Sequence, residues 1–169
     1  FSTNLIEKLR YGENPHQKSA IYSFSDSLNL KKIHGKQLSY NNLNDIFSAL
    51  TISKTFPNNT GVVIIKHANP CGASILKDKI KCYRSALACD PVSAFGGIVS
   101  CNFKISSKIA LELNKIFLEV IIANGFENKA LKILKKKKNI RLIDSSDYSI
   151  NKNIQINSID NAILVQNND

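Results

Sequence analysis

The residues best equipped for chemistry lie in one run, Ile64-Ile65-Lys66-His67-Ala68-Asn69-Pro70-Cys71-Gly72. An apolar, β-branched stretch from Val62 to Ile65 ends in a lysine and a histidine, and an Asn-Pro-Cys-Gly turn is expected to follow at once. A protonated lysine can offset negative charge growing on a reacting carbonyl oxygen, and a neutral imidazole can take a proton from an attacking amine. Adjacent strand residues point to opposite faces, so Lys66 and His67 serve one substrate only where the strand ends or bends. Asn69-Pro70 is expected to supply that break, because the residue before a proline is itself restricted. Ligands of open α/β sheets sit beyond the carboxyl ends of strands, and the pair is expected to stand at such an end. The competing reading is a solvated lysine and a hydrogen-bonded histidine closing a strand, and periodicity alone leaves both open.

Three further segments carry chemistry of their own. Arg10-Tyr11-Gly12-Glu13-Asn14-Pro15-His16 sets an arginine, suited to bidentate phosphate contacts, beside a Gly and Pro turn. In Asp90-Pro91-Val92-Ser93-Ala94-Phe95-Gly96-Gly97 the paired glycines allow close approach to the backbone, and Phe95 could stack on a heterocycle. It lacks the Gly-x-Gly-x-x-Gly spacing of a dinucleotide loop. Glu119 opens the apolar run Val120-Ile121-Ile122-Ala123, where an acid can bind ribose hydroxyls or stand solvated. A zinc deaminase needs His-x-Glu and Pro-Cys-x-x-Cys. Pro70-Cys71 is present, but Ser74 holds the place of the second cysteine and no His-x-Glu occurs, so no metal site is expected.

These residues need a scaffold, and the pattern supplies one. Strands are expected at Lys18–Phe24, Lys31–Gln37 (its possible neighbour), Gly61–Lys66, Ile98–Asn102, Val120–Ala123, Arg141–Ile143 and Ile163–Gln166. Tyr40-Asn41-Asn42 offers cap chemistry to a helix carrying Leu43, Ile46, Phe47 and Leu50, which ends near Phe56-Pro57. Further helices are expected at Lys77–Cys89, from Ser106 to about Phe117, and at Asn128–Lys136, with a loop or hairpin from Ser145 to Ser158. Strands alternating with helices predict an α/β layered domain with a parallel or mixed sheet.

At 169 residues and 43% hydrophobic composition, the chain suits one domain with a core. The net charge of +10 fits nucleic acid, an anionic membrane, a small anionic substrate or a Lys-rich composition. Lys135 to Lys138 reads as a solvated helix end. Aromatic residues do not interleave with Lys/Arg in one stripe, which argues against nucleic acid. No run reaches the roughly 20 apolar residues of a membrane span. Cys71, Cys82, Cys89 and Cys101 form no Cys-x-x-Cys pair, and reduced thiols suit a cytoplasmic protein. The start at Phe1 and the lack of methionine lead us to expect a segment of a longer protein.

Leu9 to Gln17, Gly35-Lys36-Gln37-Leu38-Ser39-Tyr40-Asn41-Asn42, Ile65 to Gly72 and Asp90 to Gly97, in this order, resemble the bifunctional purine biosynthesis family. That family joins a formyltransferase to an IMP cyclohydrolase. The resemblance runs from Arg10 to about Leu142 and thins afterwards, although Ile163-Leu164-Val165-Gln166 fits. It implies a three-layer cytidine-deaminase-like fold without zinc, a mixed sheet with helices on both faces. Residues 1–169 would be the first half of the formyltransferase region. The cyclohydrolase domain and a second deaminase-like half would lie outside it.

The implied substrate is 5-aminoimidazole-4-carboxamide ribonucleotide (AICAR), the implied co-substrate 10-formyltetrahydrofolate, and the implied assembly a homodimer. By the same resemblance Lys66 stabilises the transition state and His67 deprotonates the AICAR amine. Arg10, Tyr11, Phe95 and Gly96 contact substrate, and Glu119 takes the place of an acidic substrate contact. Two departures stand out. Ala123-Asn124-Gly125 replaces the usual Ala-Pro-Gly, and Asn161-Ala162 replaces Gly-Gly before the last strand.

Overall fold

Five consecutive buried residues, Gly61 to Ile65, make β4 (Gly61–Lys66) the spine of the molecule. Both faces of this strand must be covered, so its apolar run is continuous rather than alternating. The computed structural model describes residues 2–25, 27–150 and 154–167. Around β4 forms a mixed six-stranded sheet in the order β3-β8-β7-β6-β4-β5. Its strands are β3 (Lys31–His34), β4, β5 (Asn69–Ile75), β6 (Gly97–Cys101), β7 (Leu118–Ala123) and β8 (Arg141–Asp144). Strands β6, β7 and β8 run parallel, while β4 is antiparallel to both β5 and β6, and β3 is antiparallel to β8.

Three layers result. Helix α1 (Tyr40–Ser53) covers one face with Ile46, Ala49 and Leu50 against Val63, Ile65, Ile98, Val120 and Ile143. The other face carries α2 (Lys79–Cys89), the single turn α3 (Pro91–Ala94), α4 (Ser107–Leu113) and α5 (Asn128–Leu134) over Val62, Ile64, Val99, Ile121 and Leu142. The expected three-layer α/β fold, with a mixed sheet and helices on both faces, is the observed one.

Two separate antiparallel ribbons complete the chain, β1 (Asn4–Leu9) with β2 (Ser19–Ser23), and β9 (Gln155–Ile159) with β10 (Ala162–Gln166). Strand β2 therefore has β1, and not β3, as its neighbour, while β3 pairs with β8 from the far end of the domain. The expected last strand is present as β10, in its own ribbon and outside the main sheet. The expected loop or hairpin from Ser145 to Ser158 includes β9, and its residues 151–153 lie outside the described residues.

Local chemistry sets the boundaries. Ser39 is the N-cap of α1, in a capping box with Asn42. Asp78 caps α2 through the backbone N–H groups of Ile80 and Lys81. Helix α4 stops at Leu113, short of the expected Phe117, and the Lys137 ammonium binds the freed carbonyls of Asn114 and Ile116, both at 2.8 Å. Lys137 is therefore half-buried, unlike the solvated helix end expected for the lysine run, and burial pushes its pKa down. Asn124 spends its side chain on packing. It accepts from Lys54 Nζ at 2.9 Å and donates to the Asn102 carbonyl at 3.0 Å.

Helices α2 and α4 are joined by an ion cluster. Arg84 Nε and Nη2 each lie 3.0 Å from Glu112, and Lys115 Nζ lies 2.7 Å away. The Arg84 fork and the Lys115 ammonium hold the Glu112 carboxyl down at about 2, against an ordinary 4.5. The folded value lies below the unfolded one, so this contribution is complete above pH 4.5 and is lost as pH falls toward 2. Glu112→Gln is expected to flatten the fall in thermal midpoint across that window. A variant with the wild-type acid slope would show that the cluster contributes nothing.

Candidate functional site

The carboxyl end of β4 turns back through a two-residue tip, His67-Ala68, with Lys66 paired to Asn69. Both tip residues are left-handed, at φ 52° and 60°, the backbone that two-residue hairpins prefer and that non-glycine residues resist. The break expected at Asn69-Pro70 thus falls two residues earlier. Asn69, Pro70 and Gly72 belong to β5, an edge strand, where a proline is tolerated. Cys71 is the extra residue of a bulge between the Ile64 and Ile65 pairings.

The tip answers the geometric problem posed by the sequence. Lys66 is in phase with Val62 and Ile64, toward the α2–α3 layer. His67 leaves the strand alternation because its own backbone turns. Lys66 Nζ donates to the Phe95 carbonyl at 2.7 Å. Next to it Gly96 stands at φ +70°, where a Cβ would lie 3.1 Å from Lys66 Nζ. Glycine at 96 therefore supplies the turn and keeps the lysine's space open. Phe95 is 61% exposed and tilts against Phe117, with centroids 5.4 Å apart, which forms an aromatic wall beside the ammonium.

Glu119 sits at a bulge in β7. Gly97 pairs with Leu118 and Ile98 with Val120, which leaves Glu119 unpaired between them. Leu118 and Val120 consequently pack on opposite faces although two residues apart. The bulge aims Glu119 at α1, where its Oε2 accepts from Asn42 Nδ2 at 3.0 Å and lies 3.8 Å from Arg141 Nη1. Arg141 Nε in turn donates to the Gln37 carbonyl at 3.1 Å. One turn along α1, Asp45 Oδ1 accepts from the Ala68 N–H at 2.7 Å. Asn42 and Asp45, three residues apart on one helix face, thus hold Glu119 and the hairpin tip from a single element.

Lys66, His67, Phe95, Gly96 and Glu119 therefore share one edge of the sheet, the one formed by strand ends rather than by an outer strand. Because β4 runs against β6, this edge carries the amino ends of the parallel strands β6, β7 and β8. Only β4 and β3, the strands antiparallel to their parallel neighbours, present their carboxyl ends here, and of the two β4 carries the Lys-His pair. The first turn of α1 brings its positive dipole end to the same edge.

Arg10 and Tyr11 lie in the loop that joins β1 to β2. The Arg10 guanidinium stands 5.5 Å from the Tyr11 ring centroid, and the Tyr11 carbonyl accepts from Ser19 Oγ at 2.7 Å. Asn41 Nδ2 donates to the Glu13 carbonyl, which ties this loop to the start of α1, and Gln37 Nε2 donates to Glu7 on β1. Among the described residues, no hydrogen bond or ion pair joins Arg10 or Tyr11 to the Lys66 group. A cavity of about 280 Å3, lined by Ile6, Ile21, Leu38, Leu43 and Ile46, separates ribbon from helix. It takes in neither Lys66 nor His67.

Asp45, Phe117 and Arg141 were not singled out from sequence, and Asn42 was named only for cap chemistry and within a motif. Asn42 had a detectable signal, as a polar residue one turn before Ile46 on the buried helix face. Arg141 and Phe117 had none, since only the sheet order brings them here. No group of three or more His, Cys, Asp or Glu suited to a metal ion occurs among the described residues. The four cysteines are free thiols, and burial raises the pKa of Cys71. No described helix is long and apolar enough to cross a membrane.

The class so defined is a three-layer α/β domain with a Lys-His hairpin tip at one sheet edge. A model of the AICARFT/IMPCHase bienzyme family matches residues 1–169, and the chain belongs to that family. The "Bifunctional purine biosynthesis protein PurH" of Prochlorococcus marinus (strain MIT 9215) is 45% identical over 178 residues, covering 98% of this chain and 34% of the relative. Its namesake from Acetivibrio thermocellus is 44% identical over 170 residues, covering 96% and 33%. The chain thus spans about a third of the length of the curated relatives it matches. Among solved structures, a dCMP deaminase from the cyanophage S-TIM5 in apo form gives a TM-score of 0.44 at 8% identity, over 59% of this chain and 94% of that one. A likeness of that size carries no argument.

Proposed function

We propose that residues 1–169 are the first deaminase-like half of a formyltransferase region, and that the full-length protein transfers a formyl group from 10-formyltetrahydrofolate to AICAR. The AICAR amine is a weak nucleophile, because its lone pair is delocalised into the imidazole. As it attacks the formyl carbon, His67 takes its proton, and Lys66 offsets the charge growing on the formyl oxygen. The bond from the formyl carbon to the folate nitrogen then breaks, and that nitrogen recovers the proton. Phe95 and Gly96 border the heterocycle, Glu119 contacts the substrate, and Arg10 with Tyr11 binds it from the ribbon. The proposal extends to a cytoplasmic homodimer that also carries IMP cyclohydrolase activity, with AICAR and folate as its small-molecule partners and neither nucleic acid nor membrane among them. The isolated 169 residues, lacking the second half, are expected to be inactive.

One observation carries the reading, within a chain of this family. The left-handed His67-Ala68 tip frees His67 from strand alternation while Lys66 stays tethered to the Phe95 carbonyl. The test is formyl transfer by the full-length protein, wild type beside Lys66→Ala. Loss of about a hundred- to a thousandfold in kcat is expected for removing such a charge stabiliser. Activity that survives would move the cation elsewhere, and an inactive, folded wild type would overturn the activity itself.

A further inference from the structure

We infer that Asp45 is the positioning residue of His67, acting through the backbone of the hairpin tip. This rests on the reading of His67 as the base. Two consecutive left-handed residues usually call for Asn-Gly, and here they are His67 and Ala68, at φ 52° and 60°. Each pays a steric penalty in that region, so the tip needs an external hold. The Ala68 N–H faces away from the β4–β5 ladder and donates to Asp45 Oδ1 at 2.7 Å, a short, charge-assisted bond. Asn69 Nδ2 adds a local bond to the His67 carbonyl at 2.8 Å.

Asp45 can act as a fixed point because its neighbour Ile46 is fully buried against the sheet, as are Ala49 and Leu50 one turn on. If the tip relaxed toward extended backbone, His67 would rejoin the strand alternation and turn to the face opposite Lys66. The carboxylate on α1 therefore keeps lysine and imidazole on one substrate, without touching that substrate itself.

The test uses Asp45→Ala, Asp45→Asn, Asp45→Ala with Ala68→Gly, and His67→Ala in the full-length protein. Asp45→Ala is expected to lower kcat by about ten- to a hundredfold while KM for AICAR moves by less than about threefold. Asp45→Asn keeps an oxygen acceptor and should stay within about threefold of wild type. Ala68→Gly, which takes positive φ without strain, should recover part of the Asp45→Ala loss. An Asp45→Ala protein whose thermal midpoint drops but whose kcat per folded molecule is unchanged would overturn the inference, as would an unchanged protein. Should His67→Ala keep full kcat, the base reading falls and the inference with it. Should His67→Ala collapse while Asp45→Ala does not, only the inference falls.

Discussion

His67→Ala in the full-length protein is expected to lower kcat for formyl transfer by about a hundred- to ten-thousandfold, with KM for AICAR little changed. The reason lies in the nucleophile. An amine conjugated with an imidazole gains acidity, and demand for a base, only as its bond to the formyl carbon forms. The imidazole therefore acts mainly in the transition state, and its loss should show in kcat rather than in binding. His67 is exposed at the hairpin tip and in no way part of the core, so the variant should fold as the wild type does. A rise in KM with kcat intact would reassign His67 to substrate binding.

The second large effect concerns stability. Gly72→Ala is expected to destabilise the fold by about 3 kcal/mol. A Cβ at residue 72 would lie 2.0 Å from the Ala86 carbonyl oxygen and 2.9 Å from its carbon. Both atoms belong to the backbone of α2, so no side-chain rotation relieves the clash, and helix and strand must separate. That separation would open the packing of Cys82, Tyr83 and Ala86, which are buried on this face. Urea unfolding should show a midpoint lower by roughly 1 to 3 M for slopes typical of small domains. A midpoint equal to that of wild type would show that α2 can shift at no cost. Gly72 thus serves helix packing, whereas the sequence reading gave it to a turn.

Period and propensity were enough for the interior of this chain. The buried run of β4, the helical stretch that ends at Cys89 and the apolar spacing of α1 are local patterns, and each element formed over most of its expected span. The strand expected at Gly61–Lys66 has those bounds. Asn69 to Ile75 escaped because its proline and glycine read as a turn, whereas an edge strand with a bulge accepts both. Strand β1 escaped because its residues are mostly exposed and alternate poorly. That Lys66 and His67 stand at the end of β4 was legible from the apolar run before them. Their geometry was not, since the left-handed tip is imposed on residues that do not favour it. The neighbours of Glu119 were hidden for another reason. Asn42 is 77 residues away in sequence, and nothing local marks that partner.

The pairing of β3 with β8 has a kinetic side. Lys31 faces Asp144, and Gln37 meets Arg141 across 104 residues. No nearer segment can satisfy that edge, so closing it requires nearly the whole domain to be present and collapsed. Such non-local contacts slow folding, because loop entropy is lost before any contact repays it. During synthesis β4 soon follows α1, but the later strands that complete the cover of Ile46 and Leu50 emerge well after it, and part of the helix's apolar face waits uncovered. Completion of the Glu119–Arg141 corner is therefore a late event in the life of each molecule, and a chain halted before β8 would carry the Lys-His hairpin without it.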